Sequence, residues 1–327
     1  MTLPGQATAA DLYALVGRVF LPYNQRRQAD AQSSGGRFVY YTTAETATRI
    51  LSNREVWLRN ATAMNDFSEI SHGMTCLQAA YAGEAGRVIN AAIDRNFPGL
   101  AGEIVTVFQE WQPALQLDTY LTCISEHRAK EDQRGRLSMW RAYGGRTGVA
   151  IVFNGTAIFG ASNAIGAYSS PVFYGDAEAF AHEFRSVASN LEASLHSVEH
   201  LGREFVKNAV LQMLRFAALS TKHPSFEEEL EWRVIACPTI HETPRLQKSI
   251  EVVRGTPQMV LKLPLRNAPE QNLVGLEPSE LIDRIIIGPC QFPLVTHRAF
   301  YELLSALGVP DAIDRVIAAD IPLRHDV

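Results

Sequence analysis

Four glutamates lie at the start of a predicted strand late in the chain. The stretch FEEELEWRVI, residues 226–235, places them within five consecutive positions, directly before an apolar run. Because successive side chains of an extended strand point to opposite faces, we expect Glu229, Glu231 and Arg233 to share one face. Carboxylates at i and i+2 then lie about 6.5–7 Å apart, close enough to raise the proton affinity of one, while Arg233 holds the other ionised.

This spacing predicts a particular kind of chemistry. One carboxylate could stabilise a developing cation while the second positions or deprotonates a nucleophile. The same pattern also occurs on a solvated sheet face that carries a salt bridge between residues i and i+2. The glutamates alone leave both interpretations open.

The elements that would position these residues are predicted from hydrophobic periodicity. Strands are expected at 37–43, 119–125, 148–154 and 170–176, in the runs EWRVIAC, SIEVVRG, QMVLKLPL and RIIIGP, and from Glu55. Helices are expected at 11–24, in AETATRILSN, at 71–116 with a break at Pro98-Gly99, in LSMWRAY, at 177–220 and in VTHRAFYELLSALG. The polar stretch NQRRQADAQSSGG is expected to be a loop.

Strands cluster after helices instead of alternating with them, which favours an α+β fold over a doubly wound sheet. Without a linker-like stretch, we expect one domain over 1–327. It has an N-terminal helix and loop at 1–36, a helical insertion at about 177–220 and C-terminal helices at 291–327.

Composition excludes several classes of protein. With 46% apolar residues among 327, the chain can bury a large core, and a net charge of −5 gives no overall attraction to nucleic acid or anionic membranes. The four cysteines lack paired spacing, so neither a zinc ribbon nor a disulfide framework is indicated. No secretory signal or membrane-spanning run is apparent, and we expect a cytoplasmic protein without a membrane partner.

One short motif offers a competing chemistry. HSVEH places His196 and His200 one helical turn apart in the H-x-x-E-H pattern of some zinc peptidases. Both histidines flank polar residues on the outer side of the predicted helix, and no third ligand is evident. An accidental match is therefore the favoured interpretation, and no metal is expected.

Several motifs in fixed order resemble a bacterial family known as domain of unknown function 2971, over roughly residues 37–290. These motifs are YYTT-x-x-x-A-x-x-IL, N-D-x-x-E, C-I-S-E, S-x-W-x-x-Y, G-V-A-I-V-F, E-x-E-W-R and RIIIGP. The most specific are N-D-x-x-E, formed by Asn65, Asp66 and Glu69, and E-x-E-W-R.

The order of these motifs is in turn similar to the ADP-ribosyltransferase fold, with mixed, mostly antiparallel sheets and flanking helices. In that fold a first strand carries a His, Arg or Tyr with a nearby Thr, a middle strand carries a Ser, and a late strand carries E-x-E. The resemblance assigns these places to the residues Tyr40, Tyr41, Thr42, Ser125, Glu229 and Glu231. Tyr40 stands where many relatives have a histidine, and Phe67 stands where a proline often follows N-D.

If the resemblance extends to mechanism, NAD is the substrate and the nicotinamide–ribose bond is cleaved. Glu231 would stabilise the oxocarbenium-like centre, and Glu229 would orient the acceptor, which is a macromolecule, a small molecule or water. Tyr40, Thr42 and Ser125 would hold the nicotinamide side through their hydroxyl groups.

The resemblance also assigns contacts with the nucleotide to Asn65, Asp66 and Glu69. Further contacts are assigned to Trp140, Tyr143 and Arg233, with stacking on Trp140 or Tyr143. Each has a plainer alternative: core packing for the two aromatic residues, and a structural counter-ion for Arg233. Asn65-Asp66 could equally shape a turn.

The leading hypothesis is an NAD-using transferase or glycohydrolase, in the style of bacterial toxins or phage-defence effectors. The alternatives are a metal-dependent hydrolase at His196 and His200 and a non-catalytic nucleotide-sensing module.

Overall fold

The chain is described by a computed structural model that covers residues 9–64, 67–159 and 165–321. The helices of these residues, in chain order, are α1 Ala9–Phe20, α2 Pro22–Ser33, α3 Ala44–Asn53, α4 Phe67–Ala82, α5 Glu84–Asn96, α6 Leu100–Leu117, α7 Leu137–Tyr143, α8 Thr156–Phe159, α9 Ala177–Ala193, α10 Leu195–Glu199, α11 Arg203–Leu219, α12 Pro278–Leu281 and α13 Pro293–Ala306.

The strands, again within the described residues, are β1 Arg37–Thr43, β2 Glu55–Asn60, β3 Tyr120–His127, β4 Gly148–Asn154, β5 Tyr168–Pro171, β6 Phe173–Tyr174, β7 Thr221–Lys222, β8 Glu231–Ala236, β9 Gln247–Val253, β10 Thr256–Pro264, β11 Ile282–Ile287 and β12 Val316–Ala318. Short 3-10 helices are Ala61–Ala63, Ala129–Glu131, Pro224–Glu229 and Pro269–Gln271.

The chain divides into two compact units, each assembled from three separate segments. We call the first the helical unit, which takes residues 1–29, 64–118 and 170–227, and the second the sheet unit, which takes 30–63, 119–169 and 228–327. The expectation of one domain with an insertion stays a prediction.

The helical unit is built around α4, which packs against α5, α9 and α11. α11 contributes an apolar face to this unit, on which Val206, Val210 and Leu214 are each at most 2% exposed. Their spacing of four residues places them on one side of the helix, so burial of this face holds the unit together.

The sheet unit is organised by a mostly antiparallel sheet with the strand order β12-β11-β4-β1-β3-β2-β10-β9. β3 pairs with β1 and β2 along one edge and with β8 along the other, and β8 in turn pairs with β5. Among the pairs of this sheet with a described register, β11 and β12 run parallel and the others run antiparallel. The predicted α+β class with a mixed, mostly antiparallel sheet and flanking helices is confirmed.

Apolar side chains cover both faces of this sheet. On one face, Val149 and Ile151 of β4 pack against Leu51 of α3 and Phe300 of α13. On the other, Val39 and Tyr41 of β1 pack against Trp140 of α7. Because β1 and β4 are covered from both sides, they read as nearly continuous apolar runs, and this made them easy to predict.

Three predicted elements are wrong. The stretch NQRRQADAQSSGG, expected to be a loop, lies largely in α2, which begins with Pro22. Proline is well suited to the first helical position, and the Gln, Arg and Ala residues that follow are good helix formers despite their lack of an apolar stripe. The single strand expected at 170–176 is divided into β5 and β6. The segment 291–327, expected to contain only helices, also contributes the strand β12, which pairs with β11 at the edge of the sheet.

Two further features concern the length of the helices and the cysteines. No helix among the described residues is long and apolar enough to span a bilayer. All four cysteines lie within the described residues and none forms a disulfide: Cys76 and Cys237 are buried, whereas Cys123 and Cys290 are partly buried.

Candidate functional site

The pairing of β3 with β8 brings together two of the predicted site residues. Ser125 lies directly opposite Glu231 in the antiparallel register, and Val39 of β1 lies opposite Ser125 on its other side. Residues directly opposed in an antiparallel pair project from the same face of the sheet. Ser125 and Glu231 therefore share a face, where they are only 3% and 5% exposed.

Arg233 fixes the Glu231 carboxylate. Its Nε donates a hydrogen bond to Oε1 of Glu231 at 2.7 Å, and the Arg233 side chain is fully buried. The two residues are separated by two positions on β8, so strand geometry holds them on one face as the sequence predicts. A charge-assisted hydrogen bond of this length restrains the carboxylate far more tightly than contact with water does.

Glu229 lies before β8 and not on it, so the predicted i, i+2 pair of carboxylates on one strand is wrong. Glu229 ends the 3-10 helix Pro224–Glu229, and β8 begins only at Glu231. Between them Leu230 has a φ of +47°, in the left-handed region, so the backbone turns where a continuous strand was expected. The half-buried side chain of Glu229 accepts a hydrogen bond from the Tyr143 hydroxyl at 3.4 Å.

Arg136 ties this turn to the sheet. Its Nη1 donates to the carbonyl oxygens of Glu228 at 2.7 Å and Glu229 at 3.0 Å, and its Nη2 donates to the carbonyl oxygen of Glu126 at 3.0 Å. Its Nε donates to Oε1 of Glu131 at 3.1 Å, and both side chains are buried.

Sequence reasoning missed Arg136 and Glu131. Both lie in or beside the charged run EHRAKEDQRGR, which reads as a solvated loop. Charged residues in such a run normally face water, and no periodic pattern distinguishes these two from their neighbours.

Tyr40 lies on the opposite face from Ser125 and Glu231, which corrects its predicted place. Val39 is opposed to Ser125, so the next residue along β1 points the other way. Tyr40 packs beside Phe38, Ile124 and Trp232. Burial is the main reason that the pKa of the Tyr40 hydroxyl is raised above its usual value.

Thr42 follows Tyr40 to this opposite face. It is buried at 8% exposure and pairs with Val149 in the register of β1 and β4. The predicted role of Thr42 beside the serine is therefore wrong for the same reason of alternation.

Tyr41 is the hydroxyl-bearing residue of β1 that shares the face of Glu231. Its oxygen accepts a hydrogen bond from the backbone N–H of Arg136 at 2.8 Å. Burial, together with the nearby Glu131 carboxylate, raises the pKa of Tyr41 well above its usual value. Its hydroxyl therefore stays protonated and keeps one hydrogen to donate.

The two aromatic residues of α7 have different environments. Trp140 is 3% exposed, packs edge-on against Tyr41 with ring centroids 4.9 Å apart, and donates from Nε1 to the carbonyl oxygen of Arg134. Its ring faces are covered, so core packing replaces the predicted stacking on a ligand. Tyr143 is 42% exposed and can still present its ring.

The predicted N-D-x-x-E group is only partly covered. Asn65 and Asp66 lie outside the described residues. Glu69 belongs to α4, in the segment that contributes to the helical unit. Their assigned contacts with a nucleotide stay predictions.

A second polar cluster adjoins Ser125 on the same face. His127, two residues along β3, contacts Asp132 through Nε2 at 2.8 Å and is 1% exposed. Arg37 contacts both Asp132 at 2.9 Å and Asp283 at 3.1 Å. Burial lowers the pKa of His127, although the hydrogen bond to Asp132 acts in the opposite direction.

This cluster could have been suspected from the sequence. The motif C-I-S-E continues into His127, and a period of two places that histidine beside Ser125 on one face. The acidic partners Asp132 and Asp283 carry no comparable signal, because they are separated by about 150 positions along the chain.

The H-x-x-E-H motif lies on α10 and in the turn that follows it. The side chain of His196 is 87% exposed, and Nδ1 of His200 lies 2.7 Å from the carbonyl oxygen of His196. Within the described residues, no group of three or more His, Cys, Asp or Glu side chains is arranged to hold a metal ion. This geometry does not favour the metal-dependent hydrolase.

Residues 139–234 match the model of a family of proteins of unknown function (DUF2971). The predicted resemblance is thereby confirmed over this part of the chain, which contains Tyr143, Glu229, Glu231 and Arg233. No curated protein and no solved structure matches the chain. The likeness to ADP-ribosyltransferases stays a prediction.

Proposed function

We propose that the sheet unit binds NAD or a related nucleotide and cleaves the bond between nicotinamide and ribose. Glu231 is the carboxylate that accepts a hydrogen bond from a ribose hydroxyl and stabilises the positive charge that develops as the bond breaks. The acceptor of the ADP-ribosyl group is a macromolecule or water.

The observation that carries this proposal is the register that sets Ser125 opposite Glu231. It joins a hydroxyl group and a carboxylate on one buried face, with the carboxylate held by Arg233 at 2.7 Å. A fixed carboxylate in a poorly hydrated site stabilises a developing cation without reorganisation, which is the largest single contribution in many enzymes. Ser125 and Tyr41 supply the hydroxyl groups for the nicotinamide side.

Glu229 acts at the exposed edge of this arrangement. Its contact with Tyr143 and its partial exposure suit a group that orients an incoming acceptor. Tyr143 offers an aromatic face to the nucleotide. These roles differ from the first expectation, in which two glutamates shared one strand face.

The test is release of nicotinamide from NAD by the purified chain. We expect Glu231→Gln to lower the rate about 100-fold or more, because it removes the charge that stabilises the transition state. Gln keeps an oxygen that can accept from Arg233, but the buried guanidinium loses its charged partner, so we expect a lower unfolding temperature. Activity is therefore compared at a temperature at which both proteins are shown to be folded. Glu228→Gln, an exposed residue of the same turn, is the matched control and should keep full activity.

One observation favours a second candidate, a nucleotide-sensing module without turnover. The Glu231 carboxylate already has a buried counter-ion in Arg233. It could therefore accept a hydrogen bond from a ribose hydroxyl without stabilising a cation that forms during a reaction. Binding of NAD by calorimetry without nicotinamide release would support this candidate. If the chain neither binds NAD nor releases nicotinamide from it, both candidates are contradicted.

A further inference from the structure

A cavity of about 70 Å³ lies within the helical unit, apart from the residues assigned above. It is formed by the start of α2, the segment around β6, and the facing sides of α9 and α11. A bound water needs roughly 10–15 Å³ of such space, so this volume suits about five water molecules or one small ring.

Aromatic side chains make the walls. Tyr23 and Phe173 meet edge to face with ring centroids 5.1 Å apart, and Phe173 meets Phe180 in the same way at 6.0 Å. Phe180 in turn stacks on Phe184 at 6.0 Å. Walls of this kind favour a flat aromatic guest over a branched aliphatic one, because ring edges and faces are both available.

Ser220 places an unpaired hydroxyl group against this cavity. Its side chain is 3% exposed, and among the described residues its Oγ has no hydrogen-bond partner. Buried polar groups are nearly always paired, so such an atom points to a partner that binds from within the cavity.

Glu183 adds an unpaired carboxylate oxygen to the same lining. Its Oε2 accepts from Arg26 at 2.7 Å, whereas its Oε1 is buried without a hydrogen-bond partner among the described residues. An ionised carboxylate only accepts hydrogen bonds, so the missing partner must be a donor. The Ser220 hydroxyl oxygen can accept a hydrogen bond from that same donor.

We propose that this cavity is a binding site for a single-ring aromatic compound that carries an N–H donor group, preferably cationic. The ring occupies the aromatic walls, and the N–H group reaches the Glu183 carboxylate and the Ser220 hydroxyl. A neutral apolar ring leaves both polar atoms unpaired, whereas an anionic ring is repelled by Glu183.

The experiment uses benzamidine as the probe and isothermal titration calorimetry on the full chain. We expect saturable binding at one site with a dissociation constant below about 1 mM. Glu183→Gln should weaken it about tenfold or more, because a charge-assisted hydrogen bond is lost. Ala217→Leu, which fills the cavity from α11, should abolish it.

Two controls separate this site from general attraction to acidic surfaces. Glu178→Gln removes an exposed carboxylate from α9 and should leave binding unchanged. Arg26→Gln removes the competing partner of Glu183 and should leave binding unchanged or tighten it. Thermal unfolding of each variant checks that the fold persists.

Three results overturn the proposal. They are no saturable binding of benzamidine, equal affinity in the chain and its Glu183→Gln variant, and affinity for toluene equal to that for benzamidine. The first excludes the site, the second excludes the carboxylate, and the third excludes the preference for a donor.

Discussion

At the scale of single residues, the indole ring of Trp140 lies against three glycines, Gly135, Gly148 and Gly288. A Cβ atom added at Gly135 or Gly288 would come within 2.7 Å of the indole ring, and one added at Gly148 would come within 3.0 Å. Real Cβ atoms essentially never make contacts below 3.0 Å, so the ring fits beside Gly135 and Gly288 only because these positions lack side chains, and a Cβ at Gly148 would be tighter than most real contacts. Trp140 in turn packs against Tyr41 on the face of Glu231.

We therefore predict that Gly288→Ala destabilises the protein by about 1–3 kcal/mol, as overpacking in a well-filled core does. Gly102→Ala is the matched control, because a Cβ there meets nothing within 4 Å. That position lies in α6, where alanine is the better helix former, so stability should hold or rise by up to about 1 kcal/mol. Urea unfolding of both variants measures the difference, and equal stabilities would contradict the packing argument.

For single residues, the sequence predicts which side chains of a strand share one side, but it does not predict which partner that side meets. The sequence shows that Tyr40 and Thr42 share one side of β1 and that Tyr41 lies on the other, since alternation is fixed by strand geometry. It does not show which side meets Ser125, because that depends on the register between distant strands. A shift of one residue would have exchanged the roles of the two tyrosines.

At the scale of elements, the turn before β8 depends on a side chain about 90 positions earlier. Arg136 donates to two carbonyl oxygens of the turn and to the Glu131 carboxylate. Leu230 holds a left-handed conformation that is costly for a residue with a Cβ, so these contacts help to maintain it.

Replacing Arg136 by methionine should cost about 3–5 kcal/mol, because it leaves the buried Glu131 carboxylate without its counter-ion. The double variant with Glu131→Met should cost less than the sum of the single changes, since neither charge then remains unpaired. Urea unfolding of the four proteins completes the cycle. Additive losses would show that the pair is not coupled.

Elements were predicted well where their residues are buried and poorly where they are exposed. β1, α3, α7 and β4 coincide with the predicted runs because a packed surface imposes a period on the sequence. α2 is polar on all sides and offers no such period. Glu229 was misplaced because extended geometry was assumed through Leu230, whose positive φ has no signature in the sequence.

At the scale of the molecule, the strand order could not be read from the chain. β3 is the strand on which β1, β2 and β8 converge, and these four strands come from three separate parts of the sequence. Composition and element order are sufficient for the α+β class. The polar cluster of Arg37, His127, Asp132, Asp283 and Arg284 arises only when these strands meet.

This cluster makes the stability of the whole molecule depend on pH in two ranges. Burial lowers the pKa of His127 below 6.5, so in mild acid the unfolded chain binds the proton that the folded chain excludes. Burial alone would raise the pKa of Asp283, but Arg284 and Arg37 outweigh it and hold that pKa below 3.8. The stability that the Asp283 carboxylate contributes is present above 3.8 and is lost as the pH falls through its folded pKa.

We predict that the free energy of unfolding falls as the pH is lowered through 6.5, by at most about 1.4 kcal/mol per pH unit from His127. His127→Gln should flatten this decline, because glutamine still donates to Asp132 and does not titrate. His196→Gln, at an exposed histidine, should leave the decline unchanged. Urea unfolding at closely spaced pH values gives the slopes, and an equal decline in both variants would place the titrating group outside the cluster.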